Sequence, residues 1–320
     1  MELRHNILAS YGSQLYVALI GIAVVPVLIH LLGPESYGLV GIYSMLQAWF
    51  NLLDMGMSPS VSRETARYHG GASTAMNYRR LVRALEGVFI VIALIGGALL
   101  FFGARGIAEH WLSFNALPLA DVVYAIQIMA LIVALRWICG LYRGVIIGSQ
   151  RLIWLSGVNV SIATLRFVAV LPVLMFVGAT PRVFFGYQLC IALVELTALA
   201  GFAYRLLPWM DAGKRLTWEW APLKPVLRFS LTIAFTSSVW VMVTQVDKLI
   251  LSGLLHLDEF GYFTLAVLAG STILLLSSPV GQALMPRLSR LEAEGRQETL
   301  VHVYRTGTQL VAIIAGSAAI

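Results

Sequence analysis

Between Val239 and Leu255 the chain reads VWVMVTQVDKLILSGLL, an apolar run with Asp247 and Lys248 side by side inside it. Successive side chains on a helix point about 100° apart, so these two charges cannot simply neutralise each other. Each needs its own partner or a wet cavity, because a charge in a membrane segment is costly and marks a functional site by default. Composition decides what such a run is embedded in. The chain has 320 residues, of which 59% are hydrophobic and 12% charged, and its mean hydropathy is +0.82. Soluble domains carry about 25% charged residues. The chain therefore reads as an all-α polytopic membrane protein, although its length alone would allow two soluble domains.

A spanning helix needs roughly 20 mostly apolar residues, and that rule predicts about nine of them. They run Tyr11–Leu32, Tyr37–Leu53, Leu85–Phe102, Ala120–Ile147, Leu152–Val177, Val183–Tyr204, Leu227–Leu255, Phe260–Met285 and Thr306–Ile320. The first is about 22 residues, too long for the core of a cleaved signal peptide, and is expected to be retained. The last stops after about 15 residues, short of a full span, so the chain is expected to be part of something longer.

Most of the 22 Lys and Arg residues fall on one side of this arrangement. Arg4, Arg63, Arg67, Arg79, Arg80, Arg83, Arg143, Arg151, Arg205, Lys214, Arg215 and Arg287 belong to that side, and Arg105 and Arg182 to the other. Basic loops mark the cytoplasm, which predicts a cytoplasmic N-terminus and counts Arg143 with the charges of that side. The outer loops are short, the longest being Gly103–Leu119. The longest inner connection holds Trp209, Trp218 and Trp220 among basic residues and suits the surface of the inner leaflet. It divides the chain into a six-helix lobe at 1–205, a cytoplasmic linker at 206–226 and a partial second lobe at 227–320. A weak repeat crosses that boundary: Leu31-Leu32-Gly33-Pro34-Glu35-Ser36-Tyr37-Gly38 matches Leu254-Leu255-His256-Leu257-Asp258-Glu259-Phe260-Gly261. Parallel repeats of six-helix lobes are a known transporter plan.

Polar residues at helical spacing give the apolar segments a face. Tyr43, Gln47, Asn51 and Asp54 form one stripe; Thr236, Trp240, Thr244 and Asp247 form another. Ser156, Asn159 and Arg166, then Gln188 and Glu195, add two more. Such faces either line a water-accessible cavity or supply hydrogen bonds between helices, worth about 0.6 kcal/mol each. For Arg136, Arg166, Glu195, Asp247 and Lys248 the cavity is the stronger reading, since inserting each charge costs about 2.5–3.5 kcal/mol. At 1.5 Å per residue, Arg136, Arg166 and Glu195 lie about 14–21 Å from the inner ends of their helices and share a layer. Glu195 is expected within reach of Arg136 or Arg166. Gly140, Gly144 and Gly148 predict close helix packing. Cys139 and Cys190 fall within spans and suggest no structural disulfide. No metal-binding, nucleotide-binding or nucleophile motif appears, so no cofactor is expected. The net charge of +6 lies in short loops and does not suggest nucleic acid.

Five stretches carry a resemblance: LLGPESYGLVGIYS at Leu31–Ser44, LLDMGMSPSVSRETAR at Leu52–Arg67, GSQR at Gly148–Arg151, QVDKLILSGLLHLDEFGYFTLA at Gln245–Ala266 and LMPRLSRL at Leu284–Leu291. In that order they resemble the polysaccharide-transport branch, of the O-antigen flippase type, within the multidrug/oligosaccharidyl-lipid/polysaccharide exporter superfamily. The resemblance implies two six-helix lobes around a V-shaped, alternating-access cavity, here one complete lobe and a truncated second. It implies a flippase of the bacterial inner membrane that moves a polyprenyl-diphosphate-linked oligosaccharide from the inner to the outer leaflet. Membrane lipids and polysaccharide-assembly proteins are the expected partners, and a monomer the expected state.

The residues agree with such a cargo. Arg offers diphosphate oxygens a fixed bidentate fork and Lys a point charge. Arg136, Arg166 and Lys248, with Asn159 and Gln47, are the candidate substrate-binding residues; Asp247, Glu195 and Asp54 are the candidates for ion coupling. A drug/cation antiporter of the same superfamily is the alternative and predicts an acidic cavity. A membrane oligosaccharide ligase or polymerase would need a large outer loop, and a scaffold would not need intramembrane charges.

Overall fold

The computed structural model describes residues 2–52, 54, 56–71, 73–208, 223–268, 270–271 and 297–319. The tryptophan-rich stretch of the linker, the LMPRLSRL motif and the far end of the eighth expected segment lie outside the described residues. Described elements are helical throughout: α1 (Glu2–Ala23), α2 (Val25–Leu32), α3 (Pro34–Leu52), α4 (Met57–His69), α5 (Ala75–His110), α6 (Leu119–Gly148), α7 (Leu152–Phe167), α8 (Val170–Val177), α9 (Pro181–Leu206), α10 (Leu223–Leu254), α11 (257–268) and α12 (Gln297–Ala319). Among the described residues there is no sheet, only an isolated parallel bridge between Ser113 and His256.

Among the described residues, five stretches are long and apolar enough to cross a membrane: Ala9–Leu32, Ala75–His110, Leu119–Gly148, Leu152–Val177 and Pro181–Leu206. The protein is thus a multi-pass membrane protein. Two of these spans are interrupted. α1 gives way to α2 at Val24 and α7 to α8 at Val168–Ala169, next to Pro26 and Pro172. Proline removes a backbone donor and clashes with the preceding turn, which bends a helix at that point.

α6 is the hub, packed against α3, α4, α5, α7 and α9. Val122, Ala125, Ile126, Met129, Ala130 and Ile132 are fully enclosed along it. Around it, Leu99 of α5 is 72% exposed, Phe102 83% and Phe176 of α8 89%, as lipid-facing side chains would be.

The sequence reading is corrected at several helix ends. The second expected segment ends as α3 at Leu52, next to the expected boundary, but the polar stretch that follows is not simply a loop. A helix resumes as α4 and descends beside α6, with Ser58 against Gly140 and Thr65 against Gly148. A Cβ at Gly144 would sit 2.8 Å from the Ser58 carbonyl, and one at Gly148 would collide with that of Ser62. The glycine series therefore does what its spacing implied, letting two backbones approach. α5 extends well beyond Leu85–Phe102 at both ends. Thr74 caps its start by accepting the Asn77 amide at 3.3 Å, and an Arg105–Glu109 pair at 2.7 Å supports its far end. Much of the expected outer loop is thereby helix. α12 starts at Gln297, upstream of Thr306. In each case hydropathy marks what can sit in lipid, whereas the helix continues into water.

Candidate functional site

Arg136 and Arg143 stand seven residues apart on α6, so they share one face of it. α9 brings Glu195 to that face, α7 brings Asn159 and Arg166, and α3 brings Tyr43 and Gln47. The Arg143 guanidinium donates through Nη2 to Glu195 Oε1 at 2.6 Å and through Nη1 to Asn159 Oδ1 at 2.7 Å. Arg136 Nε lies 3.7 Å from Glu195 Oε2, and its Nη1 donates to Gln47 Oε1 at 3.5 Å. The same guanidinium sits over the Tyr43 ring, 5.8 Å from its centroid. Glu195 thus meets Arg136, as expected from depth along the helices. Arg166 lies in the electrostatic field of Arg136, Arg143, Glu195 and Tyr43, with its guanidinium 5.3 Å from the Phe167 ring centroid. Gln188 of α9 donates to the Arg166 carbonyl at 3.0 Å and ties α9 to α7.

The cluster is under-neutralised. Three guanidiniums share one carboxylate, leaving a net charge of about +2 with all groups ionised. Arg136 Nε and Nη2 and Arg166 Nε are buried and have no hydrogen-bond partner among the described residues, and neither do Glu195 Oε2 and Gln188 Oε1. The 3.7 Å contact between Arg136 and Glu195 is Coulombic, too long for a hydrogen bond. Each unsatisfied polar group costs about 1–3 kcal/mol, more when charged. An anion with several oxygens would meet these donors in bidentate fashion. The cluster is closed around Arg136 and Glu195, whose side chains are 5% and 7% exposed, and opens at Arg143, which is 32% exposed. Arg143 is the member nearest the basic end of α6. Two cavities, about 550 Å³ between α5, α6 and α9 and about 200 Å³ between α3, α6, α10 and the end of α5, are lined by apolar residues, with Ser252 the exception in the smaller, and do not touch the arginines.

The remaining predicted residues lie elsewhere. Asp54 accepts the Ser58 amide at 3.2 Å and the Ser58 hydroxyl at 2.6 Å, satisfying a first-turn donor of α4. Asp247 is exposed on α10 and takes the Lys248 amide at 2.8 Å, and Lys248 couples electrostatically to Asp247. The structure therefore does not bring Lys248 into the arginine cluster. The side chains of Asn51 and Thr236 lie outside the described residues.

Sequence reasoning missed two residues. Arg143 was counted with the loop charges of the basic side, although the expected span Ala120–Ile147 contains it; α6 runs past it to Gly148 and it joins the cluster. Its spacing from Arg136 was the available signal. Glu86 is buried on α5 and accepts hydrogen bonds from Tyr204 at 2.6 Å and Tyr142 at 3.3 Å. An acidic residue one position inside a predicted span was the sign of it.

Comparison with known proteins agrees with the motifs. Residues 3–292 match the family described as "Polysaccharide biosynthesis protein". A Shigella flexneri protein provisionally named as an O-antigen transporter is 18% identical over 261 residues, which are 82% of this chain and 60% of that protein. The chain thus spans about 60% of the length of that relative. No solved structure matches it. Since the match covers most of the chain and includes the helices α3, α6, α7 and α9 that build the arginine cluster, the chain belongs to the polysaccharide biosynthesis protein family of membrane proteins.

Proposed function

We propose that the protein works as a flippase that carries a polyprenyl-diphosphate-linked oligosaccharide from the inner to the outer leaflet of the bacterial inner membrane by alternating access. The observation that carries this reading is the net-positive cluster of Arg136, Arg143 and Arg166 around Glu195, with buried guanidinium N–H groups left unbonded among the described residues. Arg166 and Arg136 take the diphosphate, and Asn159 and Gln47 stand beside them for sugar hydroxyls. Glu195 occupies Arg143 until the cargo arrives, and it or Asp247 carries a coupling proton. Lys248 meets the cargo from the second lobe as the lobes close.

In this reading the basic side is cytoplasmic, as is the N-terminus, and the opening at Arg143 faces the leaflet where the cargo is made. The two lobes are 1–205 and 227–320, joined by 206–226, with about nine spanning helices and a monomeric assembly. The lipid tail stays in the bilayer and passes between α1 and α10.

The test uses the full-length protein in cells lacking their own flippase of this type. Expected is a return of cell-surface polysaccharide and clearance of accumulated lipid-linked sugar, with no change in drug resistance. Drug efflux without clearance of the lipid-linked sugar would refute the proposal.

A further inference from the structure

The larger cavity, of about 550 Å³, is a groove between α5, α6 and α9, and every residue that lines it is apolar. Small residues make its floor: Ala93 and Gly97 of α5 and Ala134 of α6, with a Cβ at Gly97 only 3.3 Å from that of Ala134. Leu94 and Phe102 of α5 and Leu193 of α9 form its rim and are exposed. Along α5 the groove runs from Ile90 to Phe102, about 18 Å at 1.5 Å per residue. One leaflet of hydrocarbon is about 15 Å deep, half of a core of about 30 Å. The groove thus has the length of one fatty acyl chain lying along the helices.

Charge gathers at one end of it. Arg105 and Arg182 are the two cations that the loop pattern sets on the side remote from the basic loops. Both continue the groove. Arg105 stands four residues beyond Phe101 on α5, and Arg182 seven before Leu189 on α9. Tyr124 stands seven before Leu131 on α6. These spacings keep all three on the faces that line the groove. The Arg182 guanidinium lies 5.6 Å from the Tyr124 ring centroid and donates through Nε to Asp121 Oδ1 at 2.6 Å. Arg105 Nε donates to Glu109 Oε1 at 2.7 Å. Both guanidiniums are exposed, and each has five donors for the one carboxylate it meets. Two cations and two anions thus stand at the end of a wholly apolar trough.

We propose that this groove is a binding site for one phospholipid of the leaflet remote from the basic side. An acyl chain lies in the trough between Phe102 and Ile90, and a head group bearing both a phosphate and an amine sits among Arg105, Arg182, Glu109 and Asp121. Arginine forks suit phosphate oxygens, and carboxylates accept from an ammonium. The four side chains already balance in charge, so a head group of both signs fits them better than a purely anionic one. A soluble phosphate would gain nothing from the trough, whereas a lipid gains from both halves of the site. The bound chain braces α5 against α9 across α6, and α9 is the helix that carries Glu195. A ligand held only by the folded state also stabilises it by mass action.

The test takes the full-length protein in mild detergent with an equimolar mixture of phosphatidylethanolamine and phosphatidylglycerol of the same chains. Native mass spectrometry counts the lipid retained. Expected is one phosphatidylethanolamine per protein, preferred about fivefold or more over phosphatidylglycerol. Ala98 lines the groove and is exposed, so bulk there enters the trough and not a helix interface. Ala98→Trp should cut retention about fivefold, while Leu99→Trp, exposed and off the groove, should leave it unchanged. Arg105→Gln with Arg182→Gln should erase the preference between the two lipids; if that variant does not fold, Ala98→Trp decides. Phosphatidylethanolamine with a photoreactive diazirine in its acyl chain should label 90–102 and 189–193. Equal retention of the two lipids, equal retention by Ala98→Trp and Leu99→Trp, or label spread evenly over the spanning helices would each overturn the site. Displacement of the phospholipid by added polyprenyl phosphate would assign the groove to the tail of the cargo and overturn it too. None of these readouts involves transport, so the result holds whatever the cargo is.

Discussion

Arg143 holds Glu195 at 2.6 Å, joining α6 to α9 at the place where the cluster opens. The pair is unevenly buried, with the carboxylate 7% and the guanidinium 32% exposed. Glu195 also faces Arg136, so one carboxylate restrains two cations. Replacing Glu195 with Ala leaves both without a counter-charge, and breaking a buried pair costs about 3–5 kcal/mol. We expect Glu195→Ala to lower the melting temperature in detergent markedly. The double variant Arg143→Ala with Glu195→Ala should lose less than the sum of the singles, since the groups are in contact. Additive losses would mean that the pair carries no coupling energy.

Arg166 is the member of the cluster with no ion-pair partner at bonding distance among the described residues. Arg166→Ala in the full-length protein should abolish flipping and leave membrane insertion intact. Arg166→Lys should retain partial transport, because an ammonium keeps the charge but loses the planar fork. Transport is read from surface polysaccharide and insertion from the membrane fraction. Normal transport by the Ala variant would remove Arg166 from the site.

Gly148 meets the Ser62 carbonyl and the Thr65 side chain of α4. Bulk at this position has to push the two helices apart. Overpacking costs about 1–3 kcal/mol, so Gly148→Leu should lower both folded yield and melting temperature. An exposed glycine such as Gly157 should tolerate the same change; equal stability of the two variants would contradict the packing of α4 on α6.

Glu86 accepts two phenolic hydroxyls, from Tyr142 on α6 and Tyr204 on α9. Glu86→Ala removes that acceptor, at about 1–3 kcal/mol for the buried Tyr142 hydroxyl, while Tyr204 is 44% exposed and can turn to water. Glu86→Gln keeps an acceptor and should recover most of that loss. The comparison is made by thermal unfolding in detergent, and similar midpoints for Gln and Ala variants would show that the bonds contribute little.

Asp54 binds the amide and hydroxyl of Ser58 at the start of α4. Asparagine serves such a position about as well as aspartate. Asp54→Asn should therefore preserve stability and transport, while Asp54→Ala should lose about 1 kcal/mol. Loss of transport in a stable Asn variant would point to ion coupling at Asp54 instead.

Much was legible in the sequence because lipid imposes it. Apolar runs of spanning length had to be membrane helices, since a backbone in hydrocarbon must bond within its own segment. Rise per residue placed Arg136 and Glu195 in one layer, and they meet. The glycine spacing on α6 foretold a close neighbour, and the repeated turn marked two segments that pack together, Gly38 on Leu257 and Gly261 on Pro34. Tertiary structure decided the rest. Hydropathy does not report a polar helix, so α4 was not read as one, and a charge near the end of a span can count as a surface charge or as a buried one, so Arg143 was grouped with the basic side and not with the cluster. Periodicity gives a side chain its face and depth but not the helix that face meets. That is why Lys248, a charge in an apolar run like the others, lies beside Asp247 and apart from the arginines. Which helix packs on which is set by the summed fit of many weak contacts around α6, and no local stretch of sequence contains that sum.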